Sequence, residues 1–140
     1  MTCDVFINHD GADGYQCDRL RRLLEQELRL AVLVERLDLG DGGLAPAAAT
    51  AVGERLRGRG ATFVVLTRHA VGAPWLARAL ERGRQRQQRV VPVVFDGAAV
   101  ELVAAEPALT RHHLVDARRS DEDVVFALWR CLYASLTVAA

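Results

Sequence analysis

The densest group of side chains able to do chemistry is HDGAD, residues 9–13, which places His9, Asp10 and Asp13 around Gly11. Such an imidazole could hydrogen-bond a ligand, and the two carboxylates resemble an acidic pocket. The competing role for His9 is local, a loop histidine that caps nearby backbone. Composition removes other chemistries. The chain has no lysine, so a Schiff-base lysine and a phosphate-binding P-loop lysine are both excluded. Cys3, Cys17 and Cys131 are odd in number and fit neither a disulfide framework nor a zinc knuckle. They read as reduced, partly buried thiols of a cytoplasmic protein. His112 and His113 are adjacent and would diverge on a strand, so no metal site is expected. One position is notable for what it lacks. In PWLARALERG, residues 74–83, the small apolar Ala79 reflects either helix packing or the removal of something reactive.

The 140 residues suit one domain, 1–140, and a hydrophobic fraction of 51% is enough for a real core. Eighteen acids balance 18 bases, all arginine, for a net charge of zero. That argues against a strongly basic nucleic-acid binder and against a polybasic membrane binder. No apolar run approaches ~20 residues, so no membrane span is expected, and no signal peptide is visible.

The elements that would position these residues alternate. Strands are expected at 3–8, 31–35, 61–67, 89–95 and, weakly, 113–117. Helices are expected at 15–30, 46–57, 74–88 (weakened by Gly83) and 121–137. Residues 36–46 form a loop with Gly40, Gly42 and Gly43, and 96–112 read as irregular with at most a short helix. Pro92 favours a strand end, a bulge or a sheet-edge position. Strict alternation implies a parallel sheet covered on both faces: a three-layer, flavodoxin-like α/β fold with order 2-1-3-4-5. Its ligands would bind at the carboxyl ends of the first and third strands, in loops 9–14 and 68–74. A phospho-accepting receiver shares this topology but needs Asp ending strand three and Lys ending strand five. Strand three ends in Thr67-Arg68, and there is no lysine.

Four stretches then point to a family. DVFINHDGAD (4–13) resembles the opening strand and loop of a Toll/interleukin-1 receptor (TIR) domain, especially the plant type that reads DVFINHRGxD. LGDGGL (39–44) is similar to that family's second loop. FVVLTRHAVGAPWLARAL (63–80) resembles its third strand, loop and Trp-led helix, and VVPVVFDGAAVELV (90–103) its fourth strand with the segment that follows. The resemblance implies two activities: assembly through TIR–TIR contacts, with homo-oligomers expected, and cleavage of the nicotinamide–ribose bond of NAD+ in immunity and cell death. It implies no cofactor, NAD+ being a substrate or ligand. It assigns His9, Asp10, Gly11 and Trp75 to substrate binding, and Asp38, Gly40, Asp41, Gly42, Gly43 and Leu44 to a self-association loop. For that glycine-rich stretch simple turn chemistry is an equal reading.

The family's catalytic glutamate falls on Ala79, in a pattern that Trp75 opens and Leu80 closes. Cleaving the bond develops positive charge on the ribose, and a carboxylate stabilises it. Alanine has no charge and no reach. Losing one such contact costs on the order of 10²–10³ in rate. Glu81 lies about 200° around the helix from position 79 and points elsewhere. On the same wheel Ala79 falls at the border of the apolar and charged faces, at the rim of a cleft. The alanine is either an engineered replacement in an active nucleosidase or natural loss in a non-catalytic member. Asp10 stands where the plant pattern has Arg, which would repel a pyrophosphate and supports divergence. Arg78, Arg82, Arg86 and Arg89 lie within about 80° of one another and read as a solvated face, with an anionic partner as the alternative. Trp75 and Trp129 are expected to pack in the core or at its rim.

Overall fold

The computed structural model describes residues 2–44, 50–51, 56, 60–110 and 113–138. Five parallel strands form one sheet: β1 (Val5–His9), β2 (Val32–Arg36), β3 (Ala61–Leu66), β4 (Arg89–Val94) and β5 (Val115–Asp116). Their order is 2-1-3-4-5, as the alternating pattern predicts. A separate two-residue parallel pair joins Thr2–Cys3 to Thr50–Ala51. The helix expected at 46–57 lies mostly outside the described residues; the exception at Thr50–Ala51 is this short pairing.

Helix α1 (Gly14–Arg22) continues through a π-helical turn at Leu23–Glu27. It stops where Arg29 takes a positive φ of 58°. Helix α2 (Trp75–Gln85) follows a 3₁₀ turn at Arg68–Ala70. Helices α3 (Gly97–Ala105), α4 (Pro107–Thr110) and α5 (Asp121–Val138) complete the chain. No described helix is long and apolar enough to cross a membrane.

The side-chain period of two divides the core. Val5, Ile7, Phe63, Val65 and Val93 face α1 and α5, where they meet Leu20, Leu24, Leu128 and Leu132. Val64, Leu66, Val90 and Val94 face α2 and α3, where they meet Trp75, Leu76, Ala79 and Val103. Every residue of β3 is buried, as a central parallel strand requires. The three cysteines are free and buried. Burial pushes the Cys3 and Cys17 thiols up to about 11, so neither is a thiolate at neutral pH.

Three expectations are corrected. Within the stretch read as irregular, the described residues 96–110 are mostly helical. Asp96 accepts the Ala99 N–H at 2.8 Å and caps a nine-residue helix. The segment GAAVELVAA is apolar almost all round, so periodicity could not reveal it. Pro92 is not at the end of β4 but inside it, paired with Val64 of β3 on one side and beyond the reach of β5 on the other, so only the sheet-edge alternative holds, and only locally. Phe95 donates to Leu66 and Ala117 donates to Val94, so by alternation the Pro92 nitrogen faces the β5 side. There β5 pairs only with Val93 and Val94, and no ladder bond is lost. Finally, the arginine stripe is not one solvated face.

Arg86 leaves that stripe. Its guanidinium donates from Nη1 and Nη2 to both oxygens of Glu35, each at 2.7 Å, with the two side chains 2% and 1% exposed. It also lies 3.9 Å over the Phe6 ring. Gly83 lets α2 come this close, since a Cβ there would meet Val90 Cγ2 at 2.5 Å. Removing one partner of a buried pair leaves an uncompensated charge. We expect Glu35→Ala to lose about 3–5 kcal/mol in a denaturant titration. The paired Glu35→Leu, Arg86→Met change should cost far less. Equal losses from the two would show that the pair is not the buried, coupled unit described here.

Candidate functional site

The site is built where β1, β2 and β3 end. After β1, Asp10 caps a 3₁₀ turn at Gly11–Asp13, its Oδ1 accepting the Ala12 N–H at 2.8 Å. Its other oxygen accepts the Trp75 indole N–H at 3.0 Å. Asp10 is therefore a bracket between the first loop and the start of α2. His9 turns inward: its Nδ1 lies 2.8 Å from the Asp10 carbonyl, the local capping role.

After β2, Arg36 and Asp38 form a two-point ion pair, Nε to Oδ1 and Nη2 to Oδ2, both at 2.8 Å. Asp38 Oδ1 also accepts the Gly11 N–H at 2.8 Å. A Cβ on Gly11 would run into the Arg36 guanidinium, which would have to swing aside. The glycine loop follows as a 3₁₀ turn at Gly40–Gly43, entered through Gly40 at φ 64°. That turn carries Asp41, Gly42 and Gly43 and runs into Leu44. Leu39 is 55% exposed at its entry. The Arg36 guanidinium holds the Asp38 carboxyl well below the usual carboxylate range, with the Gly11 amide assisting.

After β3, Thr67 and His69 reach back to the first loop. Both oxygens of Asp13, fully buried, lie 2.9 Å from the Thr67 hydroxyl, and His69 Nδ1 lies 2.9 Å from Oδ1. The sequence reading named Asp13 only as part of an acidic pair and missed His69. The available signal was a histidine in the loop after strand three, opposite the first loop.

Ala79 is not at a rim. It is fully buried in the apolar cluster of Leu37, Val64, Trp75 and Leu76. Two contacts locate it against the sheet. Trp75 bonds to Asp10 just past β1, and Arg86 lies over Phe6 within β1. Residues 79 and 86 lie only about 40° and about 20° around the helix from Trp75 at ~100° per residue. The same apolar cluster holds Val64 and Leu66 of β3 and Val90 and Val94 of β4, so Ala79 packs over those strands. In β1, Asn8 shares the Phe6 face. Asn8 is fully buried, and both atoms of its amide lack hydrogen-bond partners. It was legible only as a polar residue following an apolar run, one place before His9 at the strand's end.

A hollow of about 420 Å³ lies by the outer side of α2, lined by Leu44, Ala77, Arg78, Glu81, Arg82 and Gln85, and Ala79 is not among its walls. Glu81 is exposed there and paired with Arg84, facing away from position 79. Among the described residues no group of three or more metal-type ligands comes together.

These loops sit at the carboxyl edge of a 2-1-3-4-5 parallel sheet, with a Trp-led helix behind them. The TIR domain family model matches residues 5–128. The chain belongs to the TIR domain family. Among solved structures this TIR domain is similar to the RPS4 and RRS1 TIR domain heterodimer, at a TM-score of 0.62 and 20% identity, covering 96% of this chain and 98% of that one. At that identity the likeness shows the fold. Among curated proteins, none matches the chain significantly.

Two outcomes are expected of this TIR domain. A buried amide without partners costs about 1–3 kcal/mol, so Asn8→Leu, close in shape, should raise the unfolding midpoint. A lower midpoint would mean that the amide is satisfied. Asp38 has a depressed folded pKa, so its contribution is present above the unfolded value and is lost as pH falls through the folded one. The Gly11 amide resonance should hold steady from neutral pH through about pH 4, where an ordinary Asp titrates, and move only in stronger acid. A shift centred on the ordinary Asp value would show that the Arg36–Asp38 clamp is not formed in solution.

Proposed function

We propose that this TIR domain is a signalling module that acts by assembling with other TIR domains, including copies of itself, and that its cleavage of NAD+ is weak or absent. The observation that carries this reading is residue 79. The position the family resemblance gives to the catalytic glutamate holds a methyl group closed inside the core. A carboxylate there would have to enter an apolar cluster or displace it.

What remains on the surface suits contact. Phe126 and Trp129 on α5 are 61% and 43% exposed and stack with centroids 6.3 Å apart, and Tyr133 continues the row. Exposed apolar patches of this kind mark interaction surfaces. Leu39 and the glycine loop from Asp38 to Leu44 offer a second surface, consistent with a self-association loop. The family resemblance assigns His9, Asp10, Gly11 and Trp75 to nucleotide binding, and Asp10 and Trp75 are joined by a hydrogen bond. In this reading Asp10 serves as the bracket for Trp75 and Ala12, so the loop keeps its shape without an arginine. Nucleic acid is disfavoured: Arg86, one member of the arginine stripe, is committed to Glu35. The reading places the domain in the cytoplasm, in immune or cell-death signalling.

Light scattering during gel filtration tests assembly. Masses above the 15.4 kDa of one chain, rising with concentration, are expected, and Phe126→Ser with Trp129→Ser should lower them. A monomer at all concentrations would sink the assembly reading. Nicotinamide release from concentrated NAD+ tests the other half. Release from the unaltered chain should be weak or undetectable. Release that grows only with Ala79→Glu would point to a cleft that still accepts the nucleotide. Vigorous release from the unaltered chain would favour the rival reading, an active NAD+ nucleosidase producing nicotinamide and ADP-ribose.

A further inference from the structure

We propose that this domain assembles head to tail, the aromatic ridge of α5 on one copy seating in an apolar groove between α2 and α3 on the next. The contact rests on the assembly reading above and specifies its two surfaces and its symmetry.

The ridge follows from helical spacing. Phe126, Trp129 and Tyr133 stand at i, i+3 and i+7, within about 60° of one another around α5. Phe126 and Trp129 are largely exposed, and their rings stack on each other. The opposite side of the helix carries Val124, Leu128, Cys131 and Leu132, all in the core. The helix therefore cannot roll to hide the aromatics.

The groove is a concavity of about 300 Å³ between the turn after β3, α2 and α3. Ala73, Leu76, Ala77 and Leu80 line one side and Leu102 the other, with Glu106 at the end of α3. Ala73 and Ala77 present only methyl groups, which leaves the space open. Two other hollows are lined largely by charged groups: Arg78, Glu81 and Arg82 outside α2, and Glu27, Asp121 and Glu122 beside α1 and α5. Aromatic anchors contribute most to an interface where they fill a desolvated pocket, and a second ridge offers none.

Charge fixes the orientation. Arg78 and Arg82 belong to the hollow that shares Ala77 with the groove. Neither is in an ion pair among the described residues; Arg78 makes one long bond, 3.4 Å, to the Leu37 carbonyl. Glu81, the acid between them, is held by Arg84. The ridge carries the matching signs. Glu122, exposed, lies one turn before Phe126, and Arg130, also exposed, is next to Trp129. Asp121 is already paired with Arg19 and Arg22. With Glu122 set toward Arg78 and Arg82, Arg130 falls toward Glu106. The reverse orientation brings like charges together at both ends.

The ridge packs on one face of the sheet and the groove on the other, so a chain cannot fill its own groove. The contact is heterologous. Each added copy brings a free ridge and a free groove, and assembly either closes into a ring or extends as a filament.

Complementation tests this arrangement. One variant, Phe126→Ser with Trp129→Ser, lacks the ridge. The other, Ala77→Glu, fills the groove and sets an acid against the acidic end of the ridge. All three positions are exposed, and a carboxylate in the first turn of α2 suits the helix, so both proteins should unfold at the parent's midpoint. In light scattering each alone should stay monomeric where the parent assembles, its self-association weakened roughly 30-fold or more. Mixed in equal amounts, they should form a complex of twice the 15.4 kDa chain mass and nothing larger. One intact ridge then meets one intact groove, and the other two surfaces are dead. A mixture that stays monomeric while the parent assembles would overturn the inference and leave the assembly reading standing; a symmetric ridge-to-ridge contact gives that result. Assembly of Ala77→Glu at the parent's strength would do the same. A parent that is monomeric at every concentration would remove both.

Discussion

The Arg86–Glu35 pair and the Trp75–Asp10 bond fasten the two ends of α2 to β2 and to the loop beyond β1. Between them the helix has no freedom to roll, and every side chain along its inner stripe is assigned a place on the sheet. Such a pair is costly to form, because both charges leave water. It persists because the geometry is complete: two bonds at 2.7 Å, an aromatic ring beneath the guanidinium and little access for solvent. Its value is specificity of placement more than net stability.

That placement decides the surroundings of residue 79. With α2 pinned, residue 79 lies in the apolar layer between the helix and the sheet, and a methyl there lets the helix close onto Leu37 and Val64. Catalytic carboxylates need polar surroundings or an opening, and this position has neither. In β1 the buried Asn8 amide has no hydrogen-bond partner at either of its polar atoms among the described residues. The polar groups that remain accessible lie further out, in the loops. Asp10, Asp38 and Asp13 each tie the first loop to a different neighbour: α2, the end of β2 and the loop after β3. Three carboxylates in adjacent loops would repel one another in isolation. Here each is answered by its own donors, and Asp38 has a full guanidinium.

Much of this was legible beforehand. Alternating apolar runs fixed strand number and sheet order, because a buried parallel strand must be apolar on both faces and a covering helix on one. HDGAD and the glycine loop were recognisable because turn chemistry is local. Where periodicity failed, the reason was physical. Helix α3 is apolar on nearly all sides and shows no stripe, and its beginning is marked by a single capping aspartate. Pro92 left a strand end, a bulge and an edge all open because the rule concerns the missing N–H, and only the short reach of β5 shows that no strand lies beside it there.

The residue sequence by itself determined the parallel five-stranded order, the family, and the absence of an acid at position 79, since these depend on composition and on spacing along the chain. Only the tertiary structure decided which way α2 rolls, and with it that Ala79 is core, that Arg86 leaves its stripe to neutralise Glu35, and that Asp13 meets His69. Those outcomes depend on partners far apart in the chain, such as the 51 residues between Arg86 and Glu35. A helical wheel cannot tell the side that faces the sheet from its margin. That distinction is set by the few bonds that lock one element against another.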